Sequence, residues 1–116
     1  MLTVAPAAHH SAAATYEADQ TLTIAGTVLE FAWRNPHCHV QVQVASGPFG
    51  GRRYSVEMSS AESLASTGWT RTQLRPGDAV VFDVHPSRSG GPVGLCRDCR
   101  VTINGRVLRL RTSRVS

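Results

Sequence analysis

The stretch HCHVQVQV at positions 37–44 most constrains the fold. Cys38, Val40, Val42 and Val44 alternate without a break with His37, His39, Gln41 and Gln43. Successive side chains of a β-strand leave on opposite sides, so the segment has one apolar face to bury and one polar face turned the other way. A helix would scatter the same residues around its circumference. Asn35-Pro36 breaks the chain before it and ASGPFGG, 45–51, breaks it behind, so the strand is short, its register is fixed by its apolar face, and it needs neighbours to cover that face.

The neighbours are legible. TLTIAGTVLEFAW (21–33) places Leu22, Ile24 and Val28 on one side, then slips to Leu29, Phe31 and Trp33; a phase change near Gly26 predicts a bulged or sharply coiled strand. RRYSVEMS (52–59) buries Tyr54, Val56 and Met58. A short helix starts at Ser59 or Ser60, with Glu62 in its first turn, and Gly68 closes it. LRPGD turns the chain into AVVFDVH (79–85), PSRSGGPVG (86–94) reads as a flexible loop, and Asn104-Gly105 inside CRVTINGRVLRL (99–110) is a strong hairpin signal. Five strands with one short helix between strands 3 and 4 define an all-β fold, a small five-stranded OB-fold-like barrel, with a small sandwich as the competitor.

A length of 116 residues fits one domain. Apolar residues make up 41%, charged residues 17%, and no apolar run approaches the twenty residues of a membrane span. Net charge is +4 and all twelve basic residues are arginine. They are scattered except for Arg106, Arg109, Arg111 and Arg114, which read as a solvated basic strand; without interleaved aromatics this argues against nucleic acid. Ala5-Pro6-Ala7 and Ala8 fit the small-x-small cleavage rule of a secretory leader, although residues 1–8 are too short and lack a positive start, which points to a truncated leader or a misplaced start. The expected organisation is therefore a leader remnant at 1–8, an N-terminal arm at 9–20 and a single OB-like domain at 21–116. Export to an oxidising compartment suits Cys38, Cys96 and Cys99, with one disulfide and one thiol left over.

Chemistry concentrates in two places. His37 and His39, two apart on a strand, project from one face and could share one ion, but two ligands seldom suffice. His9 and His10 complete a nitrogen-rich set if the arm folds back beside strand two, a set suited to copper, nickel or zinc. Cleavage after Ala7 would leave Ala8-His9-His10, an amine-amide-imidazole chelate, and cleavage after Ala8 would make His9 an amino-terminal brace. The competing reading is two solvated histidines and an Asn-Pro turn held by Asn35. For the cysteines, a structural disulfide between Cys38 and either Cys96 or Cys99 is preferred over a zinc or redox pair, because no second pair is present and Cys99 enters a strand. His85 reads as structural. The serines lack a nucleophile setting and the acids show no pairing, so the chain leans away from an enzyme.

Together HHSAAATYEADQTLTIAGTVLEFAWRNPH, GWTRTQLRPGD and the late Asn-Gly-Arg resemble a family of small exported bacterial proteins known only as a domain of unknown function, whose mark is a His-His-Ser after the leader paired with Trp-x-Asn-Pro-His. The likeness runs from His9 to about Leu110. It implies export to the periplasm or beyond, a small β-barrel and no established activity, and it does not extend to Cys38, Cys96 or Cys99. Three readings follow: a non-catalytic barrel binding copper, or zinc or nickel, through His9, His10, His37 and His39; an OB-type module for an oligomeric or anionic ligand with Trp33, Arg34, Asn35, Arg52 and Arg53 in contact; and a copper enzyme built on an N-terminal histidine.

Overall fold

The computed structural model describes residues 14–110. The expected leader remnant at 1–8, His9, His10, Arg111 and Arg114 fall outside the described residues. Among the described residues the order is β1 (Leu22–Ala32), β2 (His39–Val44), β3 (Arg53–Glu57), α1 (Ala61–Ser66), β4 (Ala79–Pro86), β5 (Val93–Leu95), β6 (Arg100–Ile103) and β7 (Arg106–Arg109).

β1 pairs β2, β2 pairs β3, β3 runs parallel to β5, β5 pairs β4, and β4 pairs back to β1, closing a five-strand barrel with the helix between β3 and β4. The architecture is the expected OB-like barrel, but its fifth strand lies elsewhere. The loop expected at 86–94 runs into β5, and the hairpin at 99–110 stands outside the closed circuit, its β6 paired to β4. Three residues with a central glycine carry no periodicity to read. Gly94 faces the interior, where a Cβ would lie 2.6 Å from the Tyr54 hydroxyl and 2.7 Å from Val84 Cγ2.

β5 and β6 share one edge of β4, with Leu95 opposite His85 and Val101 opposite Phe82. Between these rungs β4 has only Asp83 and Val84, whereas the other side has residues 96–100. The excess forms a loop closed by a Cys96–Cys99 disulfide, Cα–Cα 5.2 Å. This corrects the expected Cys38 pairing. Cys38 is free and buried because it begins the inward row of β2, where its thiol donates to the Arg34 carbonyl at 3.6 Å and burial pushes its pKa up.

β1 serves two partners, β4 through Leu22–Thr27 and β2 through Gly26–Ala32. Both meet at Gly26, opposite Val44 and Val80 at once; a Cβ there would collide with the Gln43 carbonyl oxygen. The phase slip falls slightly later than expected, at a bulge between Val28 and Glu30. Before it Ile24 and Val28 point inward, and after it Phe31, opposite Val40, packs on the core. Val40, Val42, Tyr54, Val56, Met58, Phe82, Val84 and Val101 are completely buried there, joined by Leu64 of α1. Ser60 caps that helix, its hydroxyl accepting from the Ser63 N–H at 3.0 Å. Asn104 and Gly105 both take positive φ, 49° and 84°, as the expected hairpin turn requires. No helix among the described residues is long and apolar enough to cross a membrane.

Two outcomes test this packing. Replacing both Cys96 and Cys99 by Ser releases only a four-residue loop, so the urea midpoint should fall by the equivalent of about 2 kcal/mol and the variant should still fold. Gly26→Ala should cost about 3 kcal/mol, near the upper end of overpacking losses, because the obstacle is backbone that both neighbouring ladders hold in place; an unchanged denaturation midpoint would show that β1 is not pinched there.

Candidate functional site

The Asn-Pro turn is tied to the start of α1. The Arg34 carbonyl accepts from the Ala61 N–H at 3.1 Å, the Asn35 side-chain oxygen accepts from the Glu62 N–H at 3.1 Å, and Cys38 donates its N–H to the Ser59 carbonyl at 3.0 Å. The Asn35–Pro36 peptide is cis. These bonds hold the loop down on the helix and bring the chain into β2 with His37 just ahead of the strand and His39 as its first residue.

On the outer face of the wall, His39 pairs in register with Ala32 of β1 and Glu57 of β3, and Glu57 in turn pairs with Leu95, which pairs with His85. Residues opposite one another in adjacent strands share a face, so His39 and Glu57 are side-by-side neighbours. His37 reaches the same carboxylate from the loop, its Nδ1 3.5 Å from Glu57 Oε2. That is longer than a hydrogen bond, and the Nδ1 atom is buried with no hydrogen-bond partner. The other carboxylate oxygen is firmly held, because the Tyr16 hydroxyl donates to Glu57 Oε1 at 2.7 Å.

Tyr16 brings the arm to this wall. It bridges to Ser87 just beyond β4, Glu17 donates its N–H to the Pro86 carbonyl at 2.8 Å, Arg88 donates its N–H to the Thr15 carbonyl at 2.8 Å, and the Arg88 guanidinium pairs with Glu17 at 3.0 Å. His85 Nδ1 lies 2.8 Å from the Gln20 carbonyl, the structural role expected of it. Residues 15–20 thus dock against the end of β4 and the residues just beyond it, with Tyr16 5% exposed.

The histidines of the expected cluster divide in two. His37 and His39 both border Glu57, while His9 and His10 lie outside the described residues. Among the described residues no group of three or more His, Cys, Asp or Glu is placed to hold a metal ion. Of the expected ligand-contacting residues, Arg34 is exposed, Asn35 has its side chain on the helix, and Trp33 packs partly into the core with its ring 5.7 Å from Phe31, which lies 6.2 Å from Trp69. Arg52 stacks over Phe49 at 5.4 Å, and Arg53 pairs with Gln43 at the far end of β2. Four residues of strand, about 14 Å, separate that rung from His39 and Glu57, so these arginines and Arg34 form no single patch.

Sequence reasoning missed Glu57 and Tyr16. Glu57 lies on the outward side of a strand whose alternation was read correctly, but its partner depends on inter-strand register. Tyr16 is a lone aromatic in an Ala-rich arm, which is a signal of docking although not of where.

A closed five-strand barrel whose wall of strands 2 and 3 meets two flanking loops defines a small OB-like protein, a class that takes its ligands on that wall and those loops. The model of a family described as Family of unknown function (DUF6152) matches residues 1–100, and the chain belongs to that family. No curated protein matched the chain. The family match stops at the first residue of β6, so the rest of the β6–β7 hairpin lies beyond it.

Burial pushes the Tyr54 pKa up to about 12, and its hydroxyl has no hydrogen-bond partner. Burial, reinforced by the hydrogen bond to Glu57 and its negative charge, raises that of Tyr16 further. An unfolded tyrosine releases its proton near pH 10.0, so above that pH the folded chain holds more protons than the unfolded one and stability falls as pH rises. Tyr54 alone should account for a loss of about 2 kcal/mol by pH 12. Denaturant titrations from pH 9 upward should show this decline, shallower in Tyr16→Phe; a flat profile would contradict the burial of both rings.

Proposed function

We propose that the protein is an exported bacterial binding protein, periplasmic or secreted, that captures a transition-metal ion, copper first and nickel or zinc as competitors, between its N-terminal histidines and the barrel wall. The observation that carries this reading is the Tyr16–Glu57 hydrogen bond beside His37. It anchors the arm six residues after His10, and six residues of chain span at most about 20 Å, so His9 and His10 are within reach of His37 and His39. The donor chemistry agrees: imidazoles with a carboxylate nearby favour copper, nickel and zinc over calcium or magnesium. The buried Nδ1 of His37, with no hydrogen-bond partner, is the kind of atom a cation would satisfy.

In this reading His9, His10, His37 and His39 hold the ion, which supplies charge to a set of neutral nitrogens. With Nδ1 of His37 turned to the ion, Glu57 lies beside it as a neighbouring negative charge, and Tyr16 fixes Glu57 and the arm together. The role is capture and presentation of the ion.

Copper titration and elemental analysis of the chain carrying His9 and His10 test it. One equivalent should bind, and binding should weaken at least about 100-fold in a His37→Ala, His39→Ala variant and again in a His9→Ala, His10→Ala variant. Tyr16→Phe, which leaves every ligand in place, should cost about tenfold, as supporting contacts to metal ligands do. Equal metal content in the wild type and both histidine variants would end the proposal.

A further inference from the structure

We propose that the groove between the 72–78 turn and the β6–β7 hairpin binds a phosphate group, carried by a soluble ligand or a lipid headgroup. This site is separate from the histidine wall.

The chain is electrically lopsided. Residues 1–70 hold three arginines against five acids, whereas residues 71–116 hold nine arginines against Asp78, Asp83 and Asp98. From position 100 onward there are five arginines and no acid. Part of this charge meets a cavity of about 430 Å³ lined by Thr72, Gln73, Arg75, Asp78, Asn104 and Arg106 over an apolar floor of Ile103 and Leu108. Arg75 and Arg106 are exposed, and neither is in an ion pair among the described residues, where the pairs are His37–Glu57 and Glu17–Arg88.

Asp78 is the one acid in the groove, and it holds the two walls together. Its Oδ2 accepts the Arg75 backbone N–H at 2.9 Å and its Oδ1 accepts from the Asn104 side chain at 3.1 Å, while Asn104 Oδ1 accepts the Ala79 N–H at 2.9 Å. The backbone bond first, then the amide, holds the Asp78 carboxyl below its usual range. The turn and the hairpin are therefore fixed relative to each other, with two guanidinium forks, a hydroxyl and a side-chain amide at the opening.

Such donors, coming from both walls, suit a tetrahedral oxyanion better than a planar carboxylate, and guanidinium forks bind phosphate bidentately. The groove sets two guanidinium groups against the single Asp78 carboxylate, so its field favours an anion. No aromatic ring lines the groove, so it offers no stacking platform for a nucleobase.

Calorimetric titration with inorganic pyrophosphate and flotation with phosphatidylglycerol vesicles, both in chelator, test the proposal on wild type, Arg75→Ala, Arg106→Ala, Arg106→Lys and an Arg53→Ala control. Expected is binding that falls at least tenfold in each groove alanine variant and less in Arg106→Lys. It should weaken with salt and be unchanged in Arg53→Ala and in the His37→Ala, His39→Ala variant. Dependence on these arginines in the pyrophosphate arm assigns a soluble source, and dependence only in the vesicle arm assigns a headgroup. No binding in either arm, equal loss in Arg53→Ala, or citrate binding as tightly as pyrophosphate would overturn it. Because both arginines are exposed, unchanged thermal midpoints in the variants will separate lost contacts from lost folding.

Discussion

The structure depends on one strand doing two jobs. β1 is hydrogen-bonded to β4 along its first half and to β2 along its second, and the two ladders overlap at Gly26 and Thr27. Closure of the barrel is this overlap. It requires a coiled strand whose backbone is approached so closely by Gln43 that no side chain fits at Gly26, followed by a bulge that re-aims the apolar row so that Phe31 still faces the interior. Without that shared strand β2 would be the open edge of a sheet running β2-β3-β5-β4, and its buried row of Val40, Val42 and Val44 would lose the cover of β1.

The wall inherits its geometry from the inside of the barrel. Val40 pairs with Val56 because both must be buried, and that choice sets His39 opposite Glu57 one residue earlier. The Asn-Pro turn adds a second constraint. Its carbonyl and side-chain bonds to Ala61 and Glu62 are ordinary helix-terminal satisfaction, yet the same loop carries His37 to the Glu57 carboxylate. A residue pattern that looks like a ligand motif is thus partly a way of fastening a helix to a barrel, and the histidine that follows is positioned by it.

Elements with an internal period were legible in the sequence. β2 shows its buried row residue by residue, α1 has its cap and its terminal glycine, and Asn104-Gly105 announces a hairpin. β5 was not legible, because its three residues contain a glycine placed there for Tyr54 and Val84. The hairpin signal gave the turn correctly but says nothing about which sheet edge the strands join, so β6 and β7 stood in for the missing barrel strand. The same limit governs the cysteines. Cys38 faces inward as expected and stays free, whereas Cys96 and Cys99 close a loop that exists only because β5 and β6 share one edge of β4. Of the candidate site, His37 and His39 were visible as a pair, whereas the carboxylate between the arm and the barrel appears only once register and docking are known.

Glu57 is where those separate constraints meet. One of its oxygens is committed to Tyr16, which comes from a segment 41 residues earlier in the chain. The other faces an imidazole nitrogen that is buried and lacks a hydrogen bond. A buried polar atom left unpaired costs about 1–3 kcal/mol, and a small displacement of the ring would relieve that cost against a carboxylate already at hand. The fold instead holds the ring 3.5 Å away. Tyr16 thus ties the segment ahead of β1 to a carboxylate on the barrel wall. If an ion is held there as proposed, its binding and the docking of Tyr16 would be linked, each stabilising the other.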